Sequence, residues 1–287
     1  MMKKSRNNWL LGLIIYSSFV GLHNVFAGEF KPDKNTLFLV HFNKGLNADY
    51  ARGSKETAMT ASLTEKNGGC WEEGLLVKDG LTITPEEMEV LYRPLGYKAK
   101  NSFNSQRGTM ELWVKVLNFP KDLSKENELG LISISDWRTL PGPEWALEGC
   151  TAYGYLAIIY SNKVKKITFT EFRKEVKYDL TNIGTLDEDR FRIDADVKKW
   201  KTGEWHHIAA AWDAENDRRT LFVDGKRVGE AKFKYPDRLL VPNATDIVVG
   251  GIFKKSLTPF SCMIDEVRIS DVVRYTGNFI PEKREGK

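Results

Sequence analysis

Residues 203–226 of the 287-residue chain read GEWHHIAAAWDAENDRRTLFVDGK, and this stretch decides the fold class. An apolar run lies between Ile208 and Trp212, and a second one ends at Val223. Asp-Gly at 224–225 follows at once, and this dipeptide favours a two-residue hairpin turn because both of its central residues must take positive φ. The stretch therefore predicts antiparallel β-strands joined by a tight turn.

Apolar residues alternate with polar ones in short runs along most of the chain, and Gly, Pro, Asn and Asp separate the runs. We predict strands at 36–42, 75–78, 81–84, 90–93, 109–117, 129–135, 155–161, 165–172, 204–213, 220–223, 226–231, 245–250 and 261–270. So many short strands predict two packed sheets. No linker divides residues 28–287, so we expect one domain, with loop insertions at 136–152 and 181–202 and helix candidates only at 85–88 and 121–127.

The composition is that of a globular protein, with 41% hydrophobic and 11% aromatic residues, and this excludes a disordered chain. Lysine and arginine number 43 against 39 acidic residues, and the two signs are interleaved. A nucleic-acid-binding domain would instead concentrate its positive charge in one stripe. We therefore expect no nucleic-acid partner.

Residues 1–27 have the pattern of a signal peptide. Lys3, Lys4 and Arg6 precede an apolar run at 9–22, and VFA at 25–27 offers a cleavage site before Gly28. The pattern predicts a mature protein of residues 28–287 that is secreted, periplasmic or on the surface of a bacterial cell, without a membrane span after cleavage. In such an oxidising compartment two of the three cysteines could form a disulfide in any of three pairings, or they could stay buried thiols: Cys70, Cys150 and Cys262.

Three motifs, in this order, resemble the laminin-G-like domains of the concanavalin A-like lectin and glucanase superfamily. They are GTMELWVK at 108–115, the stretch at 203–225 quoted above, and IDEVRIS at 264–270. The resemblance implies a jelly-roll β-sandwich that spans nearly the whole mature chain. It does not fix an activity, because that superfamily includes lectin-like modules, adhesion domains, modules attached to sialidases and glycoside hydrolases.

The carboxylate pattern argues against catalysis. Jelly-roll glucanases typically carry their acids on one strand as E-x-D-x-E, and this motif is absent from the sequence, as is the G-x-S-x-G of serine hydrolases. His206 and His207 fit packing beside a tryptophan better than general-base or metal chemistry, and His41 has no evident partner. We therefore expect a non-catalytic binding domain. The alternatives are a glycoside hydrolase acting on polysaccharide and a structural or adhesion component of a cell-surface assembly.

The resemblance also implies a possible calcium ion at the rim of the sandwich, since many laminin-G-like domains hold one through aspartate and carbonyl oxygens. The residues in the corresponding places are Asn47 and Asp49 after the first strand, with Asn43 beside them and Asp265 on the closing strand. The alternative is that these are solvated turn residues and a structural aspartate.

Aromatic residues give the best indication of a ligand. In the strand at 109–115, Glu111, Trp113 and Lys115 face away from the apolar side, and a tryptophan among charges can stack a sugar ring whose hydroxyls the charges bond. The alternative is that a loop covers Trp113. The loop at 136–152 supplies two more predicted contacts, Trp137 and Trp145, whereas we expect three other tryptophans in the core: Trp71, Trp205 and Trp212. The predicted partner is a glycan or glycoprotein.

Overall fold

The computed structural model describes residues 29–59, 68–71, 74–77, 95–117, 128–138, 151–161, 164–179, 182–234, 238–250 and 262–282. Sixteen strands lie within these ranges: β1 (Thr36–Val40), β2 (Tyr50–Ala51), β3 (Thr57–Met59), β4 (Gly68–Trp71), β5 (Gly74–Val77), β6 (Leu95–Lys98), β7 (Arg107–Val116), β8 (Glu128–Arg138), β9 (Thr151–Ser161), β10 (Lys166–Asp179), β11 (Asn182–Asp196), β12 (Trp205–Asp213), β13 (Arg218–Val223), β14 (Lys226–Ala231), β15 (Asp246–Val249) and β16 (Cys262–Ser270). Among the described residues, no helix has the length and apolar character needed to cross a membrane.

The strands form two antiparallel sheets, as predicted. The larger sheet has nine strands and runs β14-β13-β12-β7-β16-β1-β2, with β5 also pairing β16 and with β4 pairing β5. The smaller sheet has seven strands in the order β11-β10-β9-β8-β15-β6-β3. On β16, residues 262–264 pair with β5 and residues 267–270 pair with β1, and the bulge between these two halves contains Glu266 at a φ of 53°.

The core lies between the inner faces of the two sheets. Met110, Leu112 and Val114 on β7 are buried there, as their alternation predicted, together with Ile208 and Ile269 of the neighbouring strands. The seven-stranded sheet contributes residues that alternate in the same way, among them Ile134, Ile158, Ile167 and Ile247. The prediction of a two-sheet sandwich is confirmed.

The turn between β13 and β14 has the predicted conformation. Asp224 and Gly225 have φ values of 50° and 73°, and Val223 pairs directly with Lys226. The Asp224 N–H donates to the carbonyl of His207 at 2.8 Å. This bond ties the turn to β12, where the candidate site lies.

Several strand bounds differ from the predicted ones; β10, for example, runs on to Asp179 instead of ending at 172. Two of the differences have a clear physical reason. Residues 182–196 form the long strand β11, not a loop, and its Phe191, Ile193 and Ala195 do alternate inward between charged residues that hid the pattern. β1 ends at Val40, two residues early, because Phe42 has a φ of 58°. In the other predicted loop, residues 136–138 and 151–152 extend β8 and β9. Residues 139–150, the predicted strands at 81–84 and 90–93, and the helix candidates at 85–88 and 121–127 lie outside the described residues.

Candidate functional site

The outer face of the nine-stranded sheet carries the predicted tryptophan. Trp113 on β7 lies directly opposite His207 on β12, and Lys115 lies opposite Trp205. Paired residues of antiparallel strands project to the same side of a sheet, so these four side chains are neighbours on the outer face. We call Trp113, Lys115 and Trp205 the open end, because all three are only partly buried.

Contacts within the open end fix the two indole rings. The Lys115 Nζ stands 4.9 Å from the centroid of the Trp205 ring, a cation–π distance. The Trp113 ring lies 5.2 Å from the His207 ring at an interplanar angle of 61°. The sheet edge beside them adds a stacked pair, since the rings of Trp200 and His206 are 4.0 Å apart and parallel to within 2°.

A hairpin carboxylate holds this edge in place. The Asp224 Oδ2 lies 2.9 Å from the His206 Nδ1, and the Asp224 Oδ1 accepts the His207 N–H at 2.9 Å. Asp224 of the predicted hairpin turn thus also anchors the two adjacent histidines. His206 and His207 are packing residues, as expected.

The rest of this outer face lies under the C-terminal strap, by which we mean residues 271–282. Val273, Tyr275 and Phe279 of the strap pack on Ala209, Ala211 and Phe222 of the sheet. The Tyr275 and Phe279 rings are stacked 3.5 Å apart, and the Phe279 N–H donates to the Gly225 carbonyl at 2.8 Å. The strap therefore closes the outer face up to His207 and leaves the open end beyond it.

A buried network of charged groups lies beneath the strap. Glu111 is fully buried, and its Oε1 accepts from the Arg268 Nε at 2.9 Å. Its Oε2 lies 3.1 Å from the His207 Nε2 and accepts the Tyr275 hydroxyl at 2.8 Å. Arg274 adds a fourth group at 3.7 Å from Oε1. Both oxygens of the predicted ligand-binding carboxylate are thus engaged by protein groups.

The same contacts determine the charge of Glu111. Burial by itself raises the pKa of the carboxyl, but the hydrogen bond with His207 and the charge of Arg268 outweigh burial and hold the pKa well below its usual range. A general acid of a glycosidase needs a raised pKa so that it can carry a proton near neutral pH. Glu111 is therefore suited to structure and not to acid catalysis.

The N-terminal residues complete this cover. The Phe30 ring lies 4.0 Å from the Arg268 guanidinium carbon, and Arg274 binds the Asp33 carboxylate through two nitrogens, each at 2.9 Å. The expectation that His41 lacks a partner is wrong, because its Nδ1 lies 2.8 Å from the Glu266 Oε2. The periodic pattern could not show this contact, which joins residues 225 positions apart.

The residues predicted to contact a ligand do not lie together in the structure. Trp113 lies at the open end, whereas Glu111 lies under the strap. Trp137 is on β8, paired with Ala152, but its side chain lies outside the described residues, as does the whole of Trp145. Trp212 is buried in the core, as predicted.

Trp205 is the residue that sequence reasoning missed. The prediction that it lies in the core is wrong, because its side chain is partly exposed and faces outward beside Lys115. Its position two residues before His207 already implied a shared face with that residue. What the sequence could not provide was the register that places it against the strand of Trp113. The side chain of Trp71 lies outside the described part of the chain.

The residues expected to bind calcium are used in local contacts. The Asn47 Oδ1 accepts the Thr57 N–H at 3.1 Å, and the Asp49 Oδ2 accepts the His41 N–H at 2.8 Å. Asp265 lies on β16, opposite Trp113. Within the described ranges, no three residues among His, Cys, Asp and Glu come together as a metal site. Calcium binding stays a prediction.

Cys262 is a free thiol that is fully buried on β16, and burial raises its pKa far above the ordinary value. Of the two alternatives left by the sequence, the structure thus has Cys262 as a buried thiol. The side chains of Cys70 and Cys150 lie outside the described residues.

Comparison with known families agrees with the motifs. Residues 169–276 match the model of the concanavalin A-like lectin/glucanases superfamily, which confirms the resemblance for this part of the chain. The match begins on β10 and ends in the C-terminal strap. No curated protein shows a significant match to the chain.

Among solved structures, a Trypanosoma rangeli sialidase in complex with 2,3-difluoro-KDN aligns at 12% identity and a TM-score of 0.49, over 85% of this chain and 31% of that one. The chain thus spans about a third of the length of that sialidase. The CBM40 of a Ruminococcus gnavus IT-sialidase, bound to α2,3-sialyllactose, aligns at 13% identity and a TM-score of 0.42, over 69% of this chain and 92% of that one. A laminarinase from Flavobacterium sp. UMI-01 aligns at 13% identity and a TM-score of 0.43, over 82% of this chain and 99% of that one. Identities and TM-scores this low carry no argument about function, which therefore depends on the site itself.

Proposed function

We propose that the protein is an exported, non-catalytic module that binds a glycan, free or on a glycoprotein, through the open end. One observation carries the proposal: two partly exposed tryptophans, Trp113 and Trp205, share the outer face of adjacent strands beside Lys115. Indole faces stack on the C–H groups of sugar rings, and an ammonium can bond the hydroxyls around them.

Rigid support favours this surface over an accidental exposure of apolar side chains. Strands β7 and β12 lie inside the nine-stranded sheet, with β13 on one side and β16 on the other. The His207 ring supports Trp113, and Lys115 covers part of Trp205. A surface whose side chains are already ordered loses less entropy when a ligand binds. The neighbouring Glu111 is held ionised by His207 and Arg268, so it is not suited to act as an acid, which favours binding over hydrolysis.

The test is glycan binding by single variants. A glycan array with the mature protein identifies a ligand, and calorimetry with that ligand then compares the wild type with Trp113→Ala and Trp205→Ala. Each truncation should weaken binding by about fivefold or more, since one stacked aromatic contact contributes about 1 kcal/mol.

The matched control is Phe172→Ala on the seven-stranded sheet. Phe172 is also partly buried and also stacked on an aromatic ring, that of Tyr155 at 5.4 Å. It should leave glycan affinity unchanged. Loss of binding in the control, with normal binding by both tryptophan variants, would place the ligand on the other sheet and overturn the proposal.

Export is part of the proposal and rests on the leader pattern of residues 1–27. The protein isolated from the periplasm or medium of a bacterial expression host should begin at Gly28. Intact-mass measurement of that protein decides the point, because a secreted form that retains Met1 contradicts cleavage.

A further inference from the structure

The contacts around His207 connect the C-terminal strap to the open end. The Tyr275 hydroxyl donates to the Glu111 Oε2, and the same oxygen lies 3.1 Å from the His207 Nε2. The Phe279 ring meets the His207 ring edge to face at 5.7 Å. The His207 ring also lies 5.2 Å from the Trp113 ring. A continuous series of contacts thus leads from Tyr275 and Phe279 to Trp113.

His207 is the one residue in this series that touches both the strap and Trp113. It is fully buried, and its Nδ1 has no hydrogen-bond partner among the described residues. The orientation of the ring is therefore set by a single hydrogen-bonding group, Glu111, and by the aromatic edges of Phe30 and Phe279. Side chains fixed in this way keep their rotamer only while the packing around them persists.

The carboxylate that orients His207 is itself oriented by the strap. Glu111 receives a hydrogen bond from Tyr275 on the oxygen that it shares with His207, while Arg268 binds the other oxygen. Loss of the Tyr275 hydroxyl leaves that oxygen with the histidine alone. The carboxylate can then rotate towards Arg268, and the histidine ring can follow it.

We infer that the C-terminal strap acts as a positioning element for the glycan-binding surface. Tyr275 and Phe279, which lie outside the open end, hold His207 in the orientation that supports Trp113. The expected effect on glycan affinity rests on the proposed function. The effect of the strap on Trp113 does not, because it is present without any ligand.

Fluorine NMR of protein labelled with 5-fluorotryptophan measures that effect directly. The chain has eight tryptophans, and the resonance of Trp113 is the one that a Trp113→Phe variant lacks. Tyr275→Phe removes only the hydroxyl, and Phe279→Leu removes the aromatic edge. Each should shift or broaden the Trp113 resonance in the free protein and weaken glycan binding by about threefold to tenfold, the range expected for a misaligned stacking contact.

Asn278→Ala is the matched control within the strap. The Asn278 Oδ1 accepts the Arg227 N–H at 2.9 Å, so this change also removes a strap hydrogen bond, but it does not touch His207, Glu111 or Trp113. It should leave the Trp113 resonance and the glycan affinity unchanged, even where it lowers the melting temperature as much as the other two changes do.

The outcomes separate the two proposals. An unchanged Trp113 resonance in both Tyr275→Phe and Phe279→Leu overturns the positioning role, and so does an equal change in Asn278→Ala. If Tyr275→Phe does not fold, Phe279→Leu carries the test. A shifted resonance in a protein that binds no glycan on the array supports the positioning role while refuting the proposed function. Normal glycan affinity with a shifted resonance refutes the consequence for binding.

Discussion

Replacement of Arg268 tests how the outer face of the larger sheet is held together. The Arg268 Nε donates to the Glu111 Oε1 at 2.9 Å, and the exposed fractions of the two side chains are 5% and 0%. Arg268→Met keeps an unbranched apolar side chain but removes the guanidinium, with its charge, its hydrogen bond to Glu111 and its contact with Phe30. Glu111 is then left buried without its main counter-charge.

The expected loss of stability is large. Breaking a buried ion pair by removing one partner typically costs about 3–5 kcal/mol, because the remaining charge is uncompensated. The Tyr275 hydroxyl and His207 still contact Glu111, so we expect a value near the lower end, about 3 kcal/mol. Lys98→Met is the control: its partner Asp246 is buried, but the Lys98 side chain is 60% exposed, and such pairs contribute only about 0–1 kcal/mol.

Urea unfolding at 25 °C, followed by tryptophan fluorescence, gives both values, provided that the slope of the unfolding free energy with urea stays the same. The pH dependence adds a second criterion. The pKa of Glu111 is lowered on folding, so its stabilisation is present above the ordinary value of 4.5 and is lost as the pH falls through the folded-state pKa. Arg268→Met removes much of that lowering. The difference between wild type and variant should therefore shrink as the pH falls below 4.5.

Two results would refute this reasoning about Arg268. One is a cost at pH 7 no larger than that of Lys98→Met. The other is a difference from the wild type that stays constant down to acid pH. The double variant Glu111→Gln/Arg268→Met serves as a further check, because removing both charges should cost less than the sum of the two single changes.

Three further predictions concern other parts of the sandwich. Burial lowers the pKa of His41, but the hydrogen bond and charge of Glu266 outweigh burial and raise the pKa above 6.5. The free energy of unfolding should therefore fall as the pH rises through that raised pKa. Urea titrations of His41→Gln at different pH values should not show this fall. Gly225→Ala should cost about 2–3 kcal/mol in the same assay, since a Cβ there meets the carbonyl of residue 279 at positive φ, whereas Gly203→Ala, with open space, should cost about 1 kcal/mol. If the rim binds calcium, added calcium should raise the melting temperature, and Asp49→Ala should abolish the rise; an unchanged melting temperature with calcium and with EDTA contradicts the site.

Period-two alternation was sufficient to predict the sandwich. Met110, Leu112 and Val114 point into the core because successive residues of a strand face opposite sides, and this rule needs no knowledge of the partner strand. The Asp-Gly turn was predictable for a similar reason, since its conformation depends on two adjacent residues. The rule failed at 182–196, where seven charged residues made a long edge strand resemble a loop.

The candidate site was only half predictable. The sequence places Trp113 on the outward side of its strand, but strand register decides that Trp205 lies beside it, and the strap decides that Glu111 is covered. Register depends on contacts between residues about 90 positions apart, such as Trp113 with His207, and no local pattern encodes them.

The cover over Glu111 explains why a charged residue on the outward side of a strand can be fully buried. A two-layer sandwich predicts that outward positions meet water, but here the terminal segments act as a third layer over part of one sheet. Residues 271–282 have no regular apolar period, because they bind through single anchors such as Tyr275 and Phe279. The described part of the strap reaches as far as His207, so the same segment that buries Glu111 leaves Trp113 and Trp205 partly exposed. On this view the limits of the proposed binding surface follow from where the strap packs, and a change at Tyr275 or Phe279 should alter ligand binding without altering a single residue of the open end.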